Sequence, residues 1–226
     1  MKRSEVNALI AEAREFFSGF GFVLPDFADW SLEDWKAMKN ECQEIIDCNL
    51  GWDVTDFGSG DYEAFGLMLF TLRNGIVGSD SYPKPYAEKI MMVKPSQVTP
   101  MHCHLRKRED IINRGGGVLV FQLRQCVDGK PVEGPVSVSV NGRRRIVQPD
   151  DYLRLKPGDS ATMEPGMFHA FWGDKDTDAV MVGEVSSVND DYTDNLFSEE
   201  RSRFPGWEED VLPTRLTVAD YKTFLN

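Results

Sequence analysis

All three histidines of this 226-residue chain fall at metal-ligand spacings. His102 and His104 open the run His102-Cys103-His104-Leu105-Arg106-Lys107-Arg108-Glu109, an H-x-H-x4-E pattern. Residues i and i+2 of a strand point to the same face, so both imidazoles reach one side. Glu109 can return on the next strand after a short turn, and His169 can arrive from a distant one. Three imidazoles and a carboxylate form an N3O site for a divalent metal, with positions left open for water or substrate. A chain with these spacings must fold so that separate strands converge on one point.

The spacing extends on both sides of the ligands. Gly116 follows Glu109 across six residues, and Gly158, Gly166 and His169 repeat a second pattern. Together the two stretches resemble the paired motifs of the cupin superfamily, G-x5-H-x-H-x3–4-E-x6-G and G-x5-P-x-G-x2-H-x3-N. Ser96 stands where the first glycine is expected, Glu164 replaces the proline and Gly173 the final asparagine. None of these three is a ligand position.

The rest of the chain agrees with a mainly β barrel. Beyond about residue 62, short apolar or alternating runs recur: Phe65–Leu72, Glu88–Val93, Gly117–Leu123, Val136–Val140, Arg143–Val147, Tyr152–Leu155 and Ala179–Val185. Asn74-Gly75 and Asn141-Gly142 are hairpin-type dipeptides. Many short strands separated by turn signals predict an antiparallel barrel or jelly roll, which holds ligands in its mouth. Ahead of it, Val6, Leu9, Ile10, Ala13, Phe16, Phe17 and Phe20 predict an amphipathic helix over 4–20. A second is predicted over 31–49, capped at Ser31 with Asp34. The expected organisation is one structural domain: an N-terminal helical segment (1–60) packed outside a cupin-type barrel (61–190), then a C-terminal extension (191–226). The extension closes on a short helix capped at Thr217.

Composition narrows the partners. The net charge of −12 argues against nucleic acid and anionic membranes. No apolar run is long enough for a transmembrane helix, and the first residues lack a signal-peptide core, so a cytoplasmic location is expected. The four cysteines have no metal-finger or redox spacing and are expected reduced. Cys103, between two ligands, should point away from the metal.

Longer strings around the ligands are more specific. Thr99-Pro100-Met101-His102-Cys103-His104, Glu109-Asp110-Ile111-Ile112-Asn113-Arg114-Gly115-Gly116-Gly117 and Glu184-Val185-Ser186-Ser187-Val188-Asn189-Asp190-Asp191 resemble the D-lyxose isomerase family. So does the N-terminal segment through Ala28. The resemblance implies a manganese-dependent homodimer that interconverts D-lyxose and D-xylulose, with slower action on D-mannose and D-fructose. Co2+, Fe2+ or Zn2+ are alternative occupants of such a donor set. Cys103 and Leu105 stand where aromatic residues are expected in many members. A leucine at the pocket rim would leave more room for mannose.

Aldose–ketose exchange moves a proton between C1 and C2, so a general base must reach C2 and a donor must meet the developing oxyanion. Glu184, a carboxylate in an otherwise apolar strand, is the first choice for the base, with Asp191 second. Lys94, just upstream of the first motif, is a candidate oxyanion donor. Lys107 and Arg203 are candidate contacts for substrate hydroxyls. Two other readings use the same ligands: a cupin dioxygenase or decarboxylase, and a non-catalytic sugar-binding cupin.

Overall fold

The computed structural model describes residues 1–225. Four helices, α1 (Arg3–Gly19), α2 (Leu32–Ala37), α3 (Gln43–Asp47) and α4 (Tyr221–Phe224), flank the strands. The first seven strands are β1 (Gly51–Thr55), β2 (Leu67–Arg73), β3 (Tyr86–Val93), β4 (Thr99–His104), β5 (Glu109–Gly116), β6 (Leu119–Val127) and β7 (Lys130–Val132). The rest are β8 (Val136–Val140), β9 (Arg143–Val147), β10 (Leu153–Leu155), β11 (Ser160–Met163), β12 (Phe168–Gly173), β13 (Val180–Ser187) and β14 (Asn195–Phe197). They form two antiparallel sheets, ordered β1-β2-β3-β13-β5-β11-β8-β9 and β10-β6-β12-β4-β14. The fold is mainly β and cupin-like, as expected. β1 lies within the first 60 residues and pairs with β2, while β14 comes from the extension and pairs with β4.

Alternation along the strands separates two cores. Leu69, Met91, Val93, Val180, Val182 and Ile111 point between the sheets and meet Leu119, Phe121 and Phe171 from the other side. Met68, Phe70, Ile90 and Met92 point outward, where Val6, Ile10, Ala13 and Phe17 of α1 cover them. β2 and β3 are apolar on both faces because both faces are buried. The N-terminal helices therefore pack outside the sheets, and the space between the sheets remains for the site.

Two local expectations change. The helix predicted over 31–49 breaks into α2 and α3, with a turn in which Glu41 N–H donates to the Met38 carbonyl. Asn40 in this stretch favours a turn over helix interior, and Trp35 and Cys42 still both reach the core. Asn74-Gly75 does not make a tight hairpin, since β3 begins only at Tyr86. The Asn74 side chain is instead buried against a distant segment, and a Cβ on Gly75 would lie 2.0 Å from the Lys84 carbonyl. Asn141-Gly142 does turn β8 into β9, with φ of 52° and 73°. Ser96 has φ of 62°, the left-handed conformation that explains the motif's preference for glycine there.

Candidate metal centre and active site

His102 and His104 hang from β4 and His169 from β12, and His169 lies directly opposite His102 in the ladder. The His102 and His169 ring centroids are 4.3 Å apart, and one nitrogen from each of the three rings falls within a 4.8 Å set. Backbone carbonyls fix two tautomers. A carbonyl only accepts, so His102 Nδ1 donates to Pro100 O at 2.7 Å and His169 Nδ1 to Met167 O at 3.0 Å. Both Nε2 atoms are then bare lone pairs aimed into the site. Burial, together with the neighbouring histidines, holds His102 well below its ordinary pKa and therefore neutral.

Glu109 faces this triad from the opposite sheet. Its carboxylate lies 3.3 Å from His104 Nε2 and 3.2 Å from His169 Nε2. The second contact lacks hydrogen-bond alignment, since His169 Nε2 is buried without a hydrogen-bond partner, as is His104 Nδ1. Orphaned buried nitrogens are costly unless something else meets them. Imidazoles gathered beside a carboxylate held ionised suit a divalent transition metal. Burial alone would raise the Glu109 pKa, but Lys107 and His104 outweigh it and hold the group well below the carboxylate range.

A second polar layer surrounds these four side chains. Lys107 is buried, and its Nζ lies 2.6 Å from Glu109 Oε2 and 2.9 Å from Glu184 Oε1. Burial would lower the Lys107 pKa, yet Glu109, Glu184 and Asp191 together raise it. Lys89 Nζ lies 3.5 Å from the same Glu184 oxygen and donates to Asn189 Oδ1 at 2.6 Å. Among the described residues the hydrogen bond that Glu184 accepts from a side chain falls on Oε1, as do its shortest contacts with both lysines. Asp191 differs: Asn189 and Asn195 donate to it, and Arg203 and Lys89 pair with it. Burial favours the Asp191 acid, but Lys89, Arg203 and Lys107 win and hold it well below the usual range. Arg203 also pairs with Asp53 at 2.5 Å.

A cavity of about 40 Å³ is lined by His102, His104, Glu109, Glu184, Lys107 and Arg203 among others. That is room for about three waters. Asp191 also lines an adjoining cavity of about 300 Å³, as does Asp53, so the Asp53–Arg203–Asp191 pairing stands between the two spaces.

Most of the expected residues meet here, but Lys94 does not. Even positions of β3 face α1, and Lys94 continues that phase to pair with Glu12 at 3.0 Å and Glu63 at 3.2 Å. The oxyanion-donor expectation for Lys94 is withdrawn, and odd-numbered Lys89 is the lysine of this strand that enters the cavity. Leu105 is exposed and does not line the metal cavity, so the rim argument for mannose loses its basis. Cys103 is buried off the cavity, its thiol pushed up to about 12 by burial and by Cys126. Lys89, Asn189 and Asp53 were not singled out from sequence. A lysine within the apolar run of β3 was the one available signal.

Comparison with known proteins agrees with this geometry. The D-lyxose isomerase family model matches residues 1–221. The chain belongs to the D-lyxose isomerase family. The D-lyxose/D-mannose isomerase of Serratia proteamaculans is 46% identical over 228 residues, covering 100% of both chains. The enzyme of the same description from Escherichia coli O157:H7 is 43% identical over 226 residues, with 99% of this chain and 100% of that one covered. Among solved structures, an L-ribose isomerase variant from Acinetobacter sp. DL28 superposes with a TM-score of 0.60 at 17% identity, covering 92% and 98% of the two chains. At that identity the likeness speaks for the fold alone.

Proposed function

We propose that this chain is a metal-dependent aldose–ketose isomerase that interconverts D-lyxose and D-xylulose, with D-mannose and D-fructose as a slower pair. The observation that carries the reading is the cluster of three buried imidazoles beside a cavity that Glu184 lines, with the hydrogen bond to that carboxylate falling on Oε1. The named activity of the full-length relatives supports the choice of sugar.

His102, His104, His169 and Glu109 would hold the metal, with Mn2+ as first choice. When bound, such an ion polarises a carbonyl and an adjacent hydroxyl as a Lewis acid. The protein's own groups do the rest. Lys107 and Lys89 hold Glu184 Oε1, so Oε2 is the atom that takes the proton from C2 and returns it to C1, while the O2 hydroxyl proton passes to O1. Asp191 is a poor base because both its oxygens are already engaged, and its role is to place Lys89 and Arg203. Lys107 neutralises charge developing on the sugar oxygens, and Arg203 orients hydroxyls. A pentose has ten heavy atoms and exceeds a cavity of about 40 Å³, and the adjoining space of about 300 Å³ beyond Arg203 offers further room.

A homodimer in the cytoplasm completes the reading. Its supports are the family membership and four cysteines that are all free thiols. No helix among the described residues is long and apolar enough to cross a membrane.

The test is direct. Metal-stripped protein restored singly with Mn2+, Co2+, Fe2+ or Zn2+ is incubated with pentoses and hexoses while ketose formation is followed. Ketose from D-lyxose with at least one metal is expected. Oxygen uptake or carbon dioxide release without ketose would favour the oxygenase or decarboxylase chemistry instead.

A further inference from the structure

β4 contains one residue more than its partner. His102 faces His169 and Thr99 faces Phe171, so three steps along β4 match two along β12. The extra residue is a β-bulge at Pro100–Met101. In a regular strand, residues 99 and 102 would point to opposite faces. The bulge turns Thr99 to the same side as His102, and both line the metal cavity.

Thr99 is buried, with 2% exposure, and its Oγ1 has no hydrogen-bond partner in the protein. Two other orphaned polar atoms belong to residues of this cavity's wall, His104 Nδ1 and Arg203 Nη1, and His169 Nε2 is orphaned beside them in the histidine cluster. The two histidine nitrogens are accounted for by a metal and Arg203 Nη1 by a substrate contact. The neighbouring wall groups are committed to one another: Lys107 to Glu109 and Glu184, Lys89 to Asn189, Asp191 to Asn189. A hydroxyl, both donor and acceptor, left unpaired beside them matches a ligand that is itself polyhydroxylated.

We propose that Thr99 is a specificity-determining residue whose Oγ1 hydrogen-bonds one hydroxyl of the open-chain sugar. This rests on the isomerase reading above. The bulge exists to aim that hydroxyl, and water fills the place until sugar displaces it.

The test uses the full chain loaded with Mn2+ and the variants Thr99→Val, which keeps the shape, and Thr99→Ser, which keeps the hydroxyl. Thr99→Val should lower kcat/KM for D-lyxose about 10-fold or more, because a buried substrate hydroxyl loses its partner. Thr99→Ser should recover most of it. The sugar-free melting temperature of Thr99→Val should stay level or rise, since no internal hydrogen bond is lost, whereas a structural threonine would lower it. D-lyxoses lacking O3, O4 or O5 then locate the partner: the one missing it should react equally with parent and Thr99→Val. An active parent with Thr99→Val within about twofold, or equal sensitivity across all three deoxy sugars, overturns the assignment alone. A parent that forms no ketose from any aldose overturns the isomerase reading and this inference with it.

Discussion

Asn74 clasps the backbone of Asn189, 115 positions away, at both ends of its amide. Its Nδ2 donates to the Asn189 carbonyl at 3.0 Å, and its Oδ1 accepts from the Asn189 N–H at 3.0 Å. Nδ2 also donates to the Cys48 carbonyl. Asn189 in turn accepts from Lys89 and Lys107 at its own Oδ1. A turn residue outside the metal cavity thus sets the height of both lysines over Glu184.

Asn74→Ala should therefore cost both stability and rate. Two carbonyls and one N–H lose their buried partner, at about 1–3 kcal/mol in total after relaxation. Urea unfolding gives the first number. Steady-state kinetics should give a kcat about 10-fold lower with metal content unchanged. A stability loss with normal kcat would confine Asn74 to the scaffold.

His169→Ala removes the only ligand carried by β12. Bound metal, read by elemental analysis, and isomerisation should fall together, and added Mn2+ should restore neither fully. Chelation of the parent should abolish turnover, and Mn2+ should restore it. Because the histidines and Glu109 come from opposite sheets, chelation should also lower the melting temperature.

Glu184→Gln retains a group of the same size and an oxygen for Lys107 and Lys89. It should bind metal as before and lose about 100-fold or more in kcat. Retained turnover would move the base elsewhere.

Acid stability should report on Asp191. Its folded pKa is depressed, so its contribution is complete above the unfolded value of about 4 and fades as the pH drops below it toward the folded pKa. The stability gap between parent and Asp191→Asn should thus be constant from pH 7 to about pH 5 and close below about pH 4. Denaturant titrations across that range measure it. A gap that widens in acid would reverse the assignment.

Among aldoses, D-lyxose should have the highest kcat/KM with Mn2+, followed by D-mannose, with D-xylose and D-ribose well behind. Lyxose and mannose share configuration at C2 and C3, so one bound geometry serves both. Xylose or ribose in first place would defeat the substrate order while leaving isomerisation intact.

The meeting of the three histidines with Glu109 was legible because their spacing is local: His102 and His104 are two apart, and motif glycines mark the turns beside Glu109 and His169. The two-sheet architecture was legible from alternation. The supporting layer was not. Lys89 looks like an ordinary strand lysine until β3 is given an inner face, and Asn74 looks like a turn residue until Asn189 is seen beside it. Asp191 reads as a solvated loop carboxylate, yet Arg203 from the far extension buries it. Such pairings depend on tertiary packing, to which no window of sequence has access.

An added residue also changes the parity of a strand. Before Pro100–Met101 the odd position, Thr99, looks into the cavity, and after it the even positions, His102 and His104, do. β4 thus carries two alternations of opposite phase, joined at a single hinge. Removing one residue at that hinge would merge them and leave the histidine pair in place. Thr99 would then swing to the outer face, giving an enzyme with an intact metal grip and a blunted sense of which sugar it holds.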